Sequence, residues 1–277
     1  MKKKIGLTIS VAILIFFITS ICFCFPKIEN KLNYANSNYQ KEEKDETKNM
    51  AKSGLRGAKI YFEKIYGAKF EDVKFIRKNQ YDIKAYDQET LNNYYFDVRK
   101  KEIGGTCEIV ACLEMLMYYS SVDSDFCVND TPEDAFVKIF DACIKDGSTT
   151  YKEGTDASCA DNCVDITFES YGSDREGNTN WYYLFDNICD SVNSRNPIIL
   201  DIPGHSTVVF GLETYRVYYS EKVGNKSYTK SKDVEFVSVL TGWKDYALDE
   251  KMFSKGMYPV SKITNHYGGY QVVWAEK

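Results

Sequence analysis

Apolar residues between positions 108 and 192 recur at the three- and four-residue spacing of helices. Residues 108–119 carry apolar side chains at 109, 112, 113, 116 and 117, which is one face of a buried helix. Thr131, followed by a proline and two acids, predicts the start of a second helix. A third helix is predicted over 180–192. Residues 147–178 are rich in Gly, Ser, Asp and Asn and are predicted to be a loop.

The pattern changes after Pro197 to short runs of β-branched and aromatic residues, which predict strands. A hairpin is predicted with its turn at the Gly-Asn pair 224–225, between arms at 215–220 and from 228 onward. The other predicted strands are 198–202, 205–212, 234–240, 258–263 and 271–275. Helices followed by an antiparallel sheet predict an α+β fold.

The first 26 residues have the pattern of an export signal. Three lysines precede an uncharged stretch at 5–25, and a proline follows. A stretch of this length also suffices to cross a bilayer, so a signal peptide (1–26) and an uncleaved anchor remain alternatives. Because basic flanks stay in the cytoplasm, we expect the protein to be secreted or extracellular, with any membrane attachment through residues 5–25 only.

The remaining chain is predicted to have three parts. Residues 27–54 are polar and without periodicity, which indicates a linker or pro-segment. Residues 55–98 form a leading segment and a possible pro-region, and residues 99–277 form the main domain.

Charge and histidine content narrow the possible chemistry. The formal net charge is −5, and the three lysines before residue 26 leave −8 for the rest of the chain. An acidic chain argues against a nucleic-acid partner. Only two histidines are present, His205 and His266, so any histidine-dependent catalysis has two possible locations.

Seven cysteines remain once the two in the export segment are set aside: Cys107, Cys112, Cys127, Cys143, Cys159, Cys163 and Cys189. An odd number in an exported protein predicts three disulfides and one free thiol. The alternative is that all seven are reduced.

Cys107 and His205 are the residues best placed for nucleophilic catalysis. Cys107 follows Gly104-Gly105-Thr106 at the predicted start of a buried helix, where the helix dipole favours a thiolate and Thr106 supplies a capping hydroxyl. His205 opens a predicted strand after a tight turn. Together they predict a thiolate–imidazole pair.

Three motifs resemble the papain-like cysteine peptidases of bacteria, in particular the streptopain-like and bacteriocin-leader-peptidase-like branches. They are GGTCEIVACLEMLMYY (104–119), GHSTVVFG (204–211) and TGW (241–243). The resemblance implies a papain-like α+β fold in which a helical lobe with the nucleophile helix precedes an antiparallel sheet lobe. It also implies that Cys107 is the nucleophile, that His205 is the general base, and that a peptide or protein is hydrolysed without a metal or organic cofactor.

The chain departs from the family pattern at two places. A Gln that helps to hold the oxyanion usually lies about six residues before the nucleophile, and residues 99–103 contain none. An Asn or Asp near the Gly-Trp motif usually orients the histidine, and Asp245 is the possible substitute here. His266 lies in a predicted turn and is interpreted as a surface residue.

Two other functions stay open. The same dyad would serve a cell-wall peptide amidase. A papain-like surface module that binds a partner and has weak or no catalysis would fit the two departures.

Overall fold

The computed structural model describes residues 54–181, 184–202, 204–242, 255–259 and 271–277. The described helices are α1 Gly54–Tyr66, α2 Gln88–Arg99, α3 Cys107–Val122, α4 Pro132–Asp146, α5 Ala160–Glu169 and α6 Leu184–Ser194. The strands are β1 Phe70–Gln80, β2 Thr149–Thr150, β3 Gly154–Thr155, β4 Glu176–Asn180, β5 Ile198–Ile202, β6 His205–Val223, β7 Lys226–Leu240, β8 Lys255–Pro259 and β9 Gln271–Glu276. The α+β class is therefore confirmed.

Local signals account for the helices that the sequence predicts best. Helix α4 begins at Pro132 because the hydroxyl of Thr131 accepts a hydrogen bond from the Asp134 amide. It ends at Gly147, whose φ of 93° turns the chain while its amide bonds back to the Cys143 carbonyl. Helix α3 is apolar on nearly every side, which fits its position in the middle of the core.

Seven strands form one antiparallel sheet in the order β4-β9-β5-β6-β7-β8, with β1 paired to β6 outside this path. Strand β6 is long enough to pair with β5 over its first five residues and with β1 from Gly211 onward. Its other edge pairs with β7 through a two-residue turn, which confirms the predicted hairpin.

Two clusters of buried side chains hold the helices to this sheet. The larger one joins α2, α3, α4 and α5 to the sheet through residues such as Leu113, Phe140, Ile199 and Val208. The smaller one packs α1 against β1, β6 and β7, and its members are Ala58, Tyr61, Phe62, Val73, Tyr215, Val217 and Phe236. Burial of the apolar surfaces in both clusters is the main contribution to the stability of the fold.

Three secondary-structure predictions are wrong. The sheet does not begin after Pro197, because β1 and β4 precede that residue and belong to the same sheet. The predicted loop 147–178 contains helix α5, whose buried residues follow a helical period. The two strands predicted at 205–212 and 215–220 are one strand, β6, which stays continuous because β1 pairs with residues 211–219 and β7 with residues 208–223.

The leading segment and the main domain lie in one compact unit, residues 44–277. Tyr81, Ile83, Leu91 and Tyr95 from the leading segment are buried in the larger cluster. No helix in the described part of the chain is long and apolar enough to cross a membrane. Residues 1–53, on which the export and linker predictions fall, lie outside the described residues.

Candidate active site

Helix α3 begins where two glycine backbones touch. Gly105 and Gly154 have φ values of 61° and 82°, and a Cβ placed on Gly154 would lie only 2.0 Å from the Gly105 carbonyl oxygen. Only glycine avoids both the strained backbone and the steric overlap. This contact, together with the hydrogen bond from the Gly104 amide to the Tyr151 carbonyl at 2.8 Å, positions the first turn of α3.

Cys107 is the first residue of α3, as expected for a nucleophile at a helix N-terminus. The expected hydroxyl cap is absent: Thr106 makes no side-chain capping bond, and its hydroxyl donates to Asn92 Oδ1 at 2.7 Å. Thr106 therefore ties α3 to α2 and does not cap the amides of the first turn. Amides in this position stabilise negative charge that develops beside Cys107.

The sulfur of Cys107 lies next to the start of β6. Its Sγ is 3.9 Å from the hydroxyl oxygen of Ser206, which is 99 residues away in sequence. Cys107 itself is partly exposed. The fold thus brings together the cysteine of one predicted motif and the residue that follows His205 in the other.

The imidazole of His205 bonds to the end of β7. Its Nε2 is 2.8 Å from the carbonyl oxygen of Thr241, and the residue is 4% exposed. A carbonyl only accepts, so Nε2 donates this hydrogen bond and carries a proton. The Thr241 carbonyl therefore selects, for a neutral imidazole, the tautomer protonated on Nε2.

His205 and Ser206 leave β6 from opposite sides. Side chains alternate along a strand, and Ser206 shares its side with Val208, which packs beneath the helices in the larger cluster. Cys107 therefore lies on the Ser206 side of the strand. Gly204, at a φ of 80°, directly precedes His205.

A row of three polar residues, two of them buried and Ser206 partly exposed, crosses three strands beside Cys107. Asp201 on β5 pairs with Ser206 on β6 and with Gln271 on β9, so all three point to the same side of the sheet. Glu108, the second residue of α3, is 3% exposed and lies against this row. Asp201 is 7% exposed.

These carboxyls change the ionisation of the candidate nucleophile. The pKa of the Cys107 thiol is raised to about 11, mainly by burial and also by the charges of Glu108 and Asp201, while hydrogen bonds from Ser206 act in the opposite direction. Burial also raises the pKa of Asp201 to about 6. The pKa of Glu108 is raised by burial and then by the charge of Asp201. Cys107 is therefore a neutral thiol at pH 7 in this arrangement.

The other sequence predictions divide into two groups. Asp245, Trp243 and His266 lie outside the described residues. The expectation of three disulfides is wrong for this structure, because all seven cysteines are free thiols. The number of cysteines does not show whether their sulfur atoms are placed to form disulfides. Three of the seven (112, 143 and 163) lie on different helices and are buried in the core as free thiols.

Sequence analysis missed Glu108, Asp201, Ser206 and Gln271 as members of this site. A usable signal was present for the two acids. Asp201 interrupts the apolar run Ile198–Ile202, and Glu108 precedes the apolar face of α3. A charged residue in an apolar segment is rarely buried without a specific reason.

Comparison with known proteins adds no family to this description. No protein-family model matches the chain, and no curated protein matches it significantly in sequence.

Proposed function

We propose that this protein is an exported papain-like cysteine peptidase in which Cys107 is the nucleophile and His205 the general base. The observation that carries the proposal is the meeting of the first residue of α3 with the start of β6. The Cys107 sulfur is 3.9 Å from Ser206, the neighbour of His205. Thiol-dependent acyl transfer needs a histidine within reach of the cysteine, and a cysteine at a helix N-terminus beside a histidine-bearing strand supports that pairing.

The reaction uses only groups of the chain and water. Nδ1 of His205 takes the thiol proton, and the Cys107 thiolate adds to the substrate carbonyl. Amides of the first turn of α3 stabilise the oxyanion. The imidazolium then protonates the leaving amine, which leaves a thioester on Cys107. Water, deprotonated by Nδ1, hydrolyses that thioester and releases the carboxylic acid product.

The backbone carbonyl of Thr241 supports this assignment. The family resemblance calls for an Asn or Asp that orients the histidine, and the residues at 239–241 are Val, Leu and Thr. A carbonyl that accepts from Nε2 at 2.8 Å performs the same orienting task without a side chain. The absence of an Asn at these positions is therefore compatible with catalysis.

The described arrangement is interpreted as the resting form of the enzyme. Cys107 is a neutral thiol whose pKa is raised mainly by burial. Activation requires the thiol proton to pass to His205 when substrate binds.

The test is hydrolysis of a denatured protein such as casein by four variants. We expect Cys107→Ala and His205→Ala each to lower kcat/KM by at least about 10³-fold, because both groups act in every turnover. His266→Ala and Ser227→Ala, the latter at an exposed position near the turn between β6 and β7, are the controls and are expected to retain most of the activity. Full activity of Cys107→Ala would end the assignment. Purified cell walls, assayed in parallel by loss of turbidity, separate a protein substrate from cell-wall peptides.

The second candidate is a papain-like binding module without catalysis. The specific observation in its favour is the neutral Cys107 thiol, whose ionisation is opposed by burial and by two carboxyls. If no substrate is cleaved and His205→Ala leaves the reactivity of Cys107 toward iodoacetamide unchanged, this candidate replaces the peptidase.

A further inference from the structure

Glu108 and Asp201 are two buried carboxyls that face each other without a compensating cation. No lysine or arginine forms an ion pair with either of them in the part of the chain that the structure describes. Two ionised carboxylates buried side by side are strongly unfavourable. At least one of them must therefore hold a proton.

Hydrogen bonding points to the same conclusion. Both carboxyl oxygens of Asp201 and Oε1 of Gln271 are buried, and none of the three receives a hydrogen bond from the residues that the structure describes. The hydroxyl of Ser206 accepts from the Cys107 thiol and has one proton to donate, which cannot serve both Glu108 and Asp201. A protonated Glu108 supplies the missing donor, since it lies within hydrogen-bonding reach of Asp201.

The groups that face this pair come from four elements. Helix α3 contributes the thiols of Cys107 and Cys112, and Cys112 Sγ is 3.9 Å from Glu108 Oε1. Helix α5 contributes the thiol of Cys163. Strand β6 contributes the neutral Ser206, with His205 next to it in sequence, and β9 contributes the neutral Gln271. Among these groups, only His205 can carry a positive charge.

We propose that Glu108 and Asp201 share a single proton and act as positioning residues that set the pH range in which Cys107 ionises. With one proton the pair carries a charge of −1 beside the sulfur, which disfavours the thiolate. When acid adds a second proton the pair becomes neutral, and this electrostatic opposition ends. The inference concerns the ionisation of Cys107 and does not require that the protein cleave peptides.

The experiment measures the alkylation rate of Cys107 in the full chain from pH 5 to pH 10, with each cysteine followed by peptide mapping. Glu108→Gln, Asp201→Asn and the double variant are compared with the unmodified protein. Either single variant leaves one acid that can ionise, so its effect is expected to be small. The double variant removes the charge, and we expect its profile to move at least one unit to lower pH, which is about tenfold in rate at pH 8.

A matched control is the double variant Glu169→Gln with Asp174→Asn, which removes two exposed acids away from Cys107. It is expected to leave the Cys107 profile unchanged. An unchanged profile in the Glu108→Gln, Asp201→Asn protein would overturn the proposal, as would an equal shift in the control.

A second measurement uses only the unmodified protein, so its outcome does not depend on whether a variant folds. The infrared spectrum of the unmodified protein at pH 8 is expected to contain the C=O stretch of a protonated carboxyl, which exposed acids do not show at that pH. The absence of this band would overturn the proposal even if the variants are unstable. Peptidase activity enters neither readout, so this proposal and the proposed function fail independently.

Discussion

At the scale of single residues, the contact between Gly105 and Gly154 decides where the nucleophile helix begins. The two backbones touch because neither residue has a side chain, and both have positive φ values. Any larger residue at 154 would push the chain before Cys107 away from its position. Stability and the geometry of the site are therefore linked at this point.

We expect Gly154→Ala to lower the free energy of unfolding by at least about 2 kcal/mol, because steric overlap adds to the cost of a positive φ. Gly147→Ala is the matched control. Gly147 also has a positive φ, but a Cβ there would meet nothing within 4 Å, so only about 1 kcal/mol is expected. Urea denaturation of the two variants measures the difference. Equal losses would mean that the glycine contact is not a steric constraint.

At the scale of elements, strand β6 connects the candidate site to the small core under α1. Its first residues lie beside Cys107, and residues from Gly211 onward pair with β1. Tyr215 and Val217 of the same strand are buried against α1. A single continuous strand thus carries both the histidine and the platform on which α1 packs.

We expect Phe62 to make the largest contribution to holding α1 against the sheet. It is 1% exposed and contacts the rings of Tyr66, Phe70 and Phe236. Phe62→Ala is expected to lower the free energy of unfolding by about 3–5 kcal/mol, because it removes a large buried ring and leaves a cavity. Ile65→Ala, on the same helix but 52% exposed, is the control and should cost less than about 0.5 kcal/mol. Similar losses in the two variants would contradict the packing described for α1.

At the scale of the whole molecule, the leading segment supplies part of the main core. Strand β1 covers one edge of β6, and Leu91 and Tyr95 of α2 are buried against the other helices. A chain that begins at residue 99 would expose both the strand edge and the apolar surface.

We therefore expect a chain starting at residue 99 to be insoluble or unfolded, whereas a chain starting at residue 54 should fold. Far-ultraviolet circular dichroism and size-exclusion chromatography distinguish the two outcomes. A folded, monomeric 99–277 fragment would show that residues 55–98 are dispensable for the fold, as expected for a removable pro-region.

The parts of this fold that were predictable have local causes. Helix α4 has a cap, an N-terminal proline and a C-terminal glycine within its own sequence. Strand β1 was not predictable, because Val73 is its only buried side chain and the strand forms through pairing with β6. Helix α5 had a readable helical period in Ala160, Cys163, Val164 and Phe168, which the polar composition around it obscured.

The sequence by itself determined the α+β class, the start of α3 at Cys107 and the start of β6 at His205, because periodicity, caps and turns act within a few residues. Only the tertiary structure decided which groups surround the sulfur. Asp201, Ser206 and Gln271 become neighbours through strand pairing, and Glu108 joins them through the packing of α3 on the sheet. The ionisation of Cys107 depends on this shared burial, which no local pattern encodes.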